Sequence, residues 1–523
     1  MITGLQVKGV TSLSGARYVK FRVRGITHYE KYAVFAIEPT EVKKRLAHKG
    51  IVLIGGKWKI LCSKVEGLTS FPIRNLVEQA GWTGDFVALP DGTVIGPGKK
   101  AKALFEYSSH VGAQGTLAEW QNGVAKLLVN QKILSFLVMT MFAPSILHLT
   151  DRADNFGFEI VGKGGCGKSS ALRIMASCCG PAKRNDGSNY WTSFNATMAG
   201  IERTLPRYKD LPLLLDEANL SVGSRASGAI GEYRQLIFKL SDGHSKATHY
   251  SPRQDAYRTI YVTTANEPIA SLIAGGNAET NSAAGDRLIT LMIDDRRPFG
   301  TFDFLPNGFG NAKQLAAQLE DGISNFYGTP IRHFLMRLGK VRSSDQKALR
   351  IEISNSVQKF VKAVGTDLNN GSAVRVAEAF GIVYAAGKLA KNHGVLPQGF
   401  KCLQAAKAAY QLHISGSGTS LPDVLNQIAQ APGVYQLDRK SLPEITDKEF
   451  HSSAVFVGRG KRGRTELMMR KDVLKRLRKD HKLILTQADA MGILLRDKSH
   501  YDVQRKVRHG KKSERVCVFI ISD

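Results

Sequence analysis

The sequence has 523 residues, of which 43% are hydrophobic and 23% are charged. At roughly 100–200 residues per domain, this length exceeds that of one ordinary domain. Lys and Arg outnumber Asp and Glu by 73 to 45, which gives a net charge of +28. This composition excludes a disordered chain and predicts a globular protein of several domains. The positive charge predicts a polyanionic partner such as nucleic acid, although a general solubility charge would look the same.

The cysteines and the apolar segments indicate the compartment. Six cysteines occur without the paired spacing of a zinc site or a disulfide framework, which predicts a reducing, cytoplasmic environment. The first residues lack the basic start and apolar run of a signal peptide. The most apolar stretch, residues 133–149, is interrupted by polar residues and is shorter than the ~20 residues that a membrane span needs. We therefore expect no membrane association, and a buried helix at this stretch.

The amino-terminal part divides into two segments. Residues 1–75 alternate short apolar runs, such as residues 32–37, with glycines and basic residues, which predicts a small β-rich module. This module contains 14 Lys and Arg residues against 4 Asp and Glu residues. Residues 76–150 are rich in turn signals and then show helical periodicity from Thr116 onward, so they form a lead-in segment with helices.

Strand-like and helical runs alternate over residues 151–310, which predicts an α/β domain with a parallel sheet. Residues 311–430 are mostly helical by pattern, and residues 415–418 form a Ser/Gly linker. Residues 431–523 are predicted to form a basic domain of winged-helix type, with helices at 470–478 and 487–496 and a final strand pair. From residue 456 onward this domain has 19 Lys and Arg residues against 8 Asp and Glu residues.

A glycine-rich loop carries the strongest chemical signal. Residues 162–169 fit the pattern GxxxxGK[ST] and stand between a strand-like run and a helical run, as a phosphate-binding loop does. Its backbone N–H groups would surround the phosphates of ATP, Lys168 would neutralise phosphate oxygens, and the Ser169 hydroxyl would bind Mg²⁺. The nucleotide contacts predicted here are Gly162, Gly164, Gly165, Cys166, Gly167, Lys168, Ser169 and Ser170.

Two acids end the next apolar strand. Asp216 and Glu217 follow the run Leu-Pro-Leu-Leu-Leu at the strand's carboxyl end, the edge at which ligands bind in open α/β sheets. We expect Asp216 to hold the magnesium ion and Glu217 to take a proton from the attacking water. Helix capping is the alternative role for such acids.

Three further sites have weaker signals. Asn266 ends the following strand, where it would position water, although a turn-forming role is the alternative. Arg287 precedes the last apolar strand and is the candidate arginine finger for a neighbouring subunit, in competition with Arg296 and Arg297. Between the acid strand and the Asn266 strand lies a candidate hairpin, or else a solvated loop. Its predicted DNA contacts are Lys246, His249 and Arg253.

Several separated motifs together resemble a known family. These are Gly81-Trp82, residues 89–92, Gly115-Thr116 with Trp120, the phosphate loop, Trp191 with Glu202, and residues 210–217. In this order they resemble the domain-of-unknown-function ATPases (family 927) of plasmids, phages and staphylococcal cassette elements, which are relatives of superfamily-three and minichromosome-maintenance-like helicases.

The resemblance implies an AAA+ ring ATPase, with a hexamer as the expected assembly, that threads single-stranded or duplex DNA during replication of a mobile element or phage. The loop departs from the family's usual Ser-Thr pattern at residues 164–166, which should leave nucleotide binding intact. After Asp294 the resemblance weakens.

Three hypotheses of function follow. The first is a ring-forming DNA helicase or translocase. The second is a DNA-binding initiator or defence ATPase that changes conformation without unwinding, and the third is a scaffold without enzymatic activity. Retention of Lys168, Asp216 and Glu217 argues against the scaffold, because a scaffold does not need all three.

Overall fold

The structure is a computed structural model. It describes most residues up to 416 and shorter stretches after that. The described residues are 4–98, 100–105, 111–183, 189–193, 204–216, 236–243, 257–268, 285–294, 297–416, 425, 428–429, 434–437, 455–459, 464–477, 485, 488–489, 493–497, 500–505 and 514–522.

Thirteen α-helices have described bounds. They are α1 (Val34–Ile37), α2 (Pro39–His48), α3 (Lys57–Glu66), α4 (Leu117–Gly123), α5 (Lys132–Thr140), α6 (Pro144–Leu147), α7 (Lys168–Ala176), α8 (Ala312–Asn325), α9 (Thr329–Ser344), α10 (Gln346–Ala363), α11 (Gly371–Asn392), α12 (Cys402–Gly416) and α13 (Lys471–Leu477).

Nineteen strands are described. They are β1 (Gln6–Thr11), β2 (Arg17–Val23), β3 (Ile26–Lys31), β4 (Leu76–Val77), β5 (Gly81–Thr83), β6 (Phe86–Ala88), β7 (Val94–Ile95), β8 (Lys102–Ala103), β9 (Phe156–Val161), β10 (Thr192–Ser193), β11 (Leu213–Asp216), β12 (Ile260–Ala265), β13 (Leu288–Met292), β14 (Tyr435–Leu437), β15 (Val455–Arg459), β16 (Thr465–Met469), β17 (Leu494–Leu495), β18 (Val503–Arg505) and β19 (Glu514–Ser522).

The amino-terminal module is an antiparallel sheet, in the order β1-β2-β3, covered on one face by helices. Alternate residues of β2 are buried and pack with apolar residues of α2 and α3, such as Val42 and Leu61. The module is therefore mixed rather than mainly β. The run 32–37, expected as an apolar strand-like piece, includes the short helix α1, where Phe35 packs against Phe21 and Trp58.

The central sheet has five parallel strands in the order β10-β11-β12-β9-β13, which confirms the predicted α/β class with a parallel sheet. Strand β9 lies between β12 and β13 and is buried along its whole length. Gly157 is required there because a Cβ at this position would clash with the ring of Tyr261. Strand β9 therefore places the loop that follows it near the middle of the sheet's carboxyl edge.

A large core joins the lead-in segment, the sheet and the helices α8–α12. Helix α5 lies in this core, with Phe136 in contact with Phe158 of β9 and Phe380 of α11 at ring-centroid distances of 5.2 and 5.3 Å. Helix α4 begins at Thr116, whose side chain forms a capping box with Glu119. The apolar stretch 133–149 is a pair of buried helices, and among the described residues no helix could span a membrane.

The carboxy-terminal part has its own core and a six-stranded sheet. Five strands follow the order β14-β15-β16-β19-β17, and β18 also pairs with β19. Helix α13 and the final pair β18-β19 lie where the sequence predicts a helix and a strand pair. The helix predicted over 487–496 is wrong at its end, because Leu494 and Leu495 pair with β19. The winged-helix arrangement stays a prediction.

Candidate functional site

The glycine-rich loop, residues 162–167, connects β9 to α7 and is shaped by backbone that only glycine adopts easily. Gly165 and Gly167 have φ values of 83° and 96°. A Cβ on Gly162 would lie 2.8 Å from Sγ of Cys166, and one on Gly167 would lie 2.5 Å from Oγ1 of Thr301. By contrast, Cβ atoms at Gly164 and Gly165 would meet nothing within 4 Å. The loop is therefore packed on its inner side and open on its outer side.

Lys168 is the first residue of α7, and its side chain folds back over the loop. Its Nζ atom lies 2.6 Å from the Gly162 carbonyl oxygen and 3.0 Å from that of Lys163. The third partner is Oδ1 of Asn266, at 3.1 Å, directly after β12. Ser169 is exposed beside it, and the hydroxyl of Ser170 accepts a hydrogen bond from Arg173. The ammonium group therefore lies between the loop and the neighbouring strand's end.

Asp216 lies at the end of β11, and one of its carboxylate oxygens is fixed by the adjacent strand. Its Oδ1 accepts a hydrogen bond of 2.8 Å from the hydroxyl of Thr264 in β12. The parallel register explains the contact, because β11 and β12 run side by side and end together. Sequence reasoning missed Thr264. A signal was present, since Thr264 and Asn266 are two residues apart and therefore lie on the same side of one strand.

The segment after β13 supports the loop from behind. The Thr301 N–H donates to the Cys166 carbonyl at 2.9 Å, and Gly300 also lies against Cys166. Arg297 holds this segment by donating to the carbonyls of Gly300 and Phe302, and it forms an ion pair of 3.2 Å with Asp303. The guanidinium group of Arg297 is thus used inside its own chain, which argues against its alternative role as an arginine finger.

Arg287 lies at the opposite edge of the sheet from the phosphate loop. It directly precedes β13, and its carbonyl accepts hydrogen bonds from the Gly157 N–H at 2.7 Å and the Tyr261 hydroxyl at 2.8 Å. Its guanidinium carbon lies 5.1 Å from the centroid of the Phe238 ring. Because the strands are parallel, Arg287 is separated from Lys168 of its own chain by the length of β9. It could reach a phosphate loop only in a neighbouring subunit.

Several predicted site residues lie outside the described residues. These are Glu217, the hairpin candidates Lys246, His249 and Arg253, and the alternative finger Arg296. The structure therefore brings together the loop, Lys168, Asp216 and Asn266, and it adds Thr264 to them. No group of three His, Cys, Asp or Glu side chains that could form a metal centre occurs in the described part.

Two buried cysteines directly after α7 have no reactive character. Cys178 and Cys179 follow α7 and are fully buried, and burial raises the pKa of both thiols. Protonated thiols are poor nucleophiles and poor metal ligands. All six cysteines are free thiols in the structure.

This arrangement can bind an anion and a cation next to each other. The open loop offers backbone N–H groups at the start of a helix, and Lys168 adds a positive charge. The carboxylate of Asp216 and the hydroxyl of Ser169 are hard oxygen ligands of the kind that Mg²⁺ prefers. The edge of the sheet thus has groups that could bind a phosphate chain and its magnesium ion, and its described residues do not form a site that would hold a metal by protein groups alone.

Comparisons with known proteins show which family model and which fold the chain resembles. Residues 24–251 match the family model described as a domain of unknown function (DUF927), and this range contains the loop, Lys168 and Asp216. A solved structure described as the SCCmec type IV Cch active helicase is similar to the chain, with a TM-score of 0.61 and 14% sequence identity. The similarity covers 99% of this chain and 93% of that one. No curated protein matches the sequence. The chain therefore has a helicase-like fold over nearly its whole length.

Proposed function

We propose that this protein is an ATP-hydrolysing, ring-forming DNA helicase or translocase, with a hexamer as the expected assembly. The observation that carries the proposal is the convergence of the open phosphate loop, Lys168 and Asn266 with Asp216 at one sheet edge. The likeness to a structure described as an active helicase and the net charge of +28 support DNA as the partner. The resemblance to ATPases of mobile elements supports a role in replication of such an element or of a phage.

Each residue of the site has a proposed role in ATP hydrolysis. The N–H groups of residues 164–170 and the ammonium group of Lys168 bind the phosphate oxygens. Ser169 and Asp216 hold Mg²⁺, which when bound neutralises charge that develops on the phosphate oxygens. Thr264 would hold the orientation of the Asp216 carboxylate through its hydrogen bond to Oδ1.

Two other side chains are proposed to act on the attacking water. Glu217, directly after Asp216, accepts a proton from this water, and the amide of Asn266 orients it. In the structure the Asn266 oxygen is bonded to Lys168, so phosphate binding by Lys168 would free the amide for this task. Arg287 from the neighbouring subunit completes the site by stabilising negative charge on the phosphate.

Strand displacement tests the proposal. A forked duplex with a labelled strand is incubated with the full chain, Mg²⁺ and ATP, and release of the strand is followed. Wild type should unwind the fork only with hydrolysable ATP, and Lys168→Ala should release no strand. Lys313→Ala, which removes an exposed lysine of α8, is the charge-matched control and should behave as wild type.

Two outcomes would contradict the proposal. Hydrolysis of ATP by the wild type without strand release on any fork would favour a conformational switch over a helicase. Equal strand release by Lys168→Ala and wild type would remove the phosphate loop from the mechanism.

Charge removal at Lys246, His249 and Arg253 should lower DNA-stimulated hydrolysis, because contacts in a ring channel couple hydrolysis to movement.

A further inference from the structure

The amino-terminal sheet has one face covered by helices, while its other face, called the open face here, is basic at one end and buried at Val10 and Tyr18 toward the other. Strand pairing sets which residues share the open face, because neighbours in register lie on the same side of the sheet. One row across the three strands consists of Lys8, Lys20 and Tyr29, and the next row is Gln6, Arg22 and Thr27. The opposite face carries Val19, Phe21 and Val23 into the core with α2 and α3.

The open face concentrates positive charge without neutralising it. Lys8 and Lys20 stand directly opposite each other on neighbouring strands, an arrangement that destabilises a sheet when both are charged. Neither of them, nor Arg22, forms an ion pair with a carboxylate in the described part of the chain. A like-charged pair of this kind is unfavourable for folding, and a bound anion would offset the repulsion.

The nearby carboxylates are held elsewhere. Glu30 belongs to the covered face, where it is bonded to His28 at 2.8 Å and lies 3.6 Å from Arg45. Glu78 accepts hydrogen bonds from Ser12, Ser14 and Tyr18, and Tyr18 lies on the same face in the row next to Lys8 and Lys20. Neither acid forms an ion pair with Lys8, Lys20 or Arg22 among the described residues.

An aromatic ring lies among these cations. Tyr29 is half-buried, because it packs against the small core of Val10, Tyr18 and Leu76. The Nζ atoms of Lys20 and Lys102 lie 6.0 and 5.1 Å from its ring centroid. Lys102 comes from β8, outside the sheet, so a second segment adds its charge to the same place. An aromatic ring flanked by cations is the combination with which proteins bind single-stranded nucleic acid.

We propose that this basic sheet face, formed by Lys8, Lys20, Arg22, Tyr29 and Lys102, binds single-stranded DNA. The cations contact successive phosphates and a base stacks against Tyr29. Neighbouring rows are two residues apart along a strand, which is about 6.8 Å. This spacing suits the extended sugar–phosphate backbone of a single DNA strand that crosses the sheet. The inference rests on the proposed function, because unwinding generates the single strand that this face would hold.

Charge-matched variants test the face in the full chain. Lys8→Gln/Lys20→Gln/Arg22→Gln removes three charges from it. Lys43→Gln/Lys49→Gln/Lys59→Gln removes three exposed charges from the same module at or near its helices. Binding of a fluorescent thymidine 30-mer is measured over a salt series, beside a hairpin duplex with the same number of phosphates. Thermal unfolding confirms that both variants are folded.

The face variant should bind the single strand at least tenfold more weakly than wild type. Its log–log salt slope should be less negative by about 2, since each phosphate contact on a single strand contributes roughly 0.7. The control variant should retain wild-type affinity and slope. Tyr29→Phe should bind as wild type, whereas Tyr29→Leu should bind about tenfold more weakly, because only the ring can stack on a base.

Three results would overturn the inference. These are wild-type affinity and slope in the face variant, equal losses in the face and control variants, and an equal loss on the duplex. Failure of the proposed function would look different. In that case the wild type would not displace a strand from a fork, whatever the thymidine 30-mer measurements show.

Discussion

The ammonium group of Lys168 lies 3.1 Å from Oδ1 of Asn266, which links the first turn of α7 to the end of β12. The two residues are 98 positions apart in the sequence, and the parallel pairing of β9 and β12 brings them together. In the proposed mechanism Lys168 binds the phosphate oxygens and Asn266 orients the attacking water. Variants of the two residues should therefore separate nucleotide binding from hydrolysis.

Lys168→Ala should abolish ATP binding, because it removes the ammonium group that lies against the loop and would neutralise the phosphate oxygens. Asn266→Ala should preserve binding and lower turnover about 100-fold, since a positioned polar group is worth roughly that much in catalysis. Glu217→Gln should likewise bind ATP and fail to hydrolyse it. Fluorescent-nucleotide binding and phosphate release measure the two properties. Glu267→Ala, a neighbouring exposed position, is the control for Asn266.

Wild-type turnover in Asn266→Ala would show that the amide only holds Lys168 in the nucleotide-free protein. Wild-type turnover in Glu217→Gln would remove the catalytic assignment of that residue. Weakened ATP binding in Asn266→Ala, with turnover of the bound fraction unchanged, would assign Asn266 to positioning Lys168.

Arg287 should act only between subunits, because its own phosphate loop is at the other edge of the sheet. Arg287→Ala and Lys168→Ala should each be inactive alone. When mixed, they should recover part of the ATPase activity, because some interfaces combine an intact loop with an intact arginine. Phosphate release from titrated mixtures measures the recovery. Co-assembly without recovery would exclude Arg287, and Arg296 would be the next candidate, since Arg297 is held by Asp303.

The sequence predicts the local parts of this site and misses the parts that depend on strand order. The phosphate loop is recognisable because its strand, glycines and helix are contiguous. The contact between Asp216 and Thr264 spans 48 residues, and it exists only because β11 and β12 are neighbours in the sheet. The strand order β10-β11-β12-β9-β13 is a tertiary property that local patterns do not encode.

The same limit explains the errors in element type. Residues 34–37 are apolar enough for a strand, yet they form a helix whose Phe35 stacks on Trp58 at 6.3 Å, a contact made with a distant helix. Leu494 and Leu495 fit a helical pattern, but pairing with β19 places them in a strand. In both cases packing against a distant segment outweighs local propensity.

Asp210 connects the lead-in segment to the strand that carries Asp216. The fully buried carboxylate accepts hydrogen bonds from the Trp82 N–H at 2.9 Å and from Arg258 at 3.1 Å. Asp210→Ala should destabilise the protein by about 3 kcal/mol. Roughly 1–3 kcal/mol comes from the unsatisfied Trp82 N–H, and about 1 kcal/mol more comes from alanine at a φ of 60°. Arg258 is 39% exposed, so it can turn to water and adds little.

Asp210→Asn should cost less, about 1 kcal/mol, because asparagine tolerates the left-handed backbone and keeps one acceptor. Urea unfolding followed by tryptophan fluorescence measures both variants, and Asp85→Asn, an exposed site near Trp82, is the control. Equal stability of Asp210→Ala and wild type would show that the lead-in segment is held without this carboxylate.

His148 should make the stability of the protein fall in mild acid. The ring is largely buried and packs beside Trp82, and neither ring nitrogen has a hydrogen-bond partner in the described structure. Burial, together with the nearby Arg342 and Arg258, lowers the pKa of His148 to about 3. The unfolded chain, with a histidine pKa of about 6.5, therefore gains a proton below pH 6.5 that the folded chain does not take up.

The sign follows from this difference in bound protons. Stability is unaffected by His148 above pH 6.5, and it decreases as pH falls from 6.5 toward 3, where the folded protein would also protonate. Between pH 7 and pH 5 the loss due to this residue should be about 1–2 kcal/mol. His148→Phe keeps an aromatic ring without a titratable group, so its stability should fall less over the same range. Urea unfolding of both proteins at each pH measures the difference in stability between them. The comparison also cancels the contributions of His393 and His413, which are present in both proteins.

Parallel pH profiles for wild type and His148→Phe would contradict the prediction. They would mean that the buried ring takes up a proton in the folded protein, although Trp82, Arg342 and Arg258 surround it.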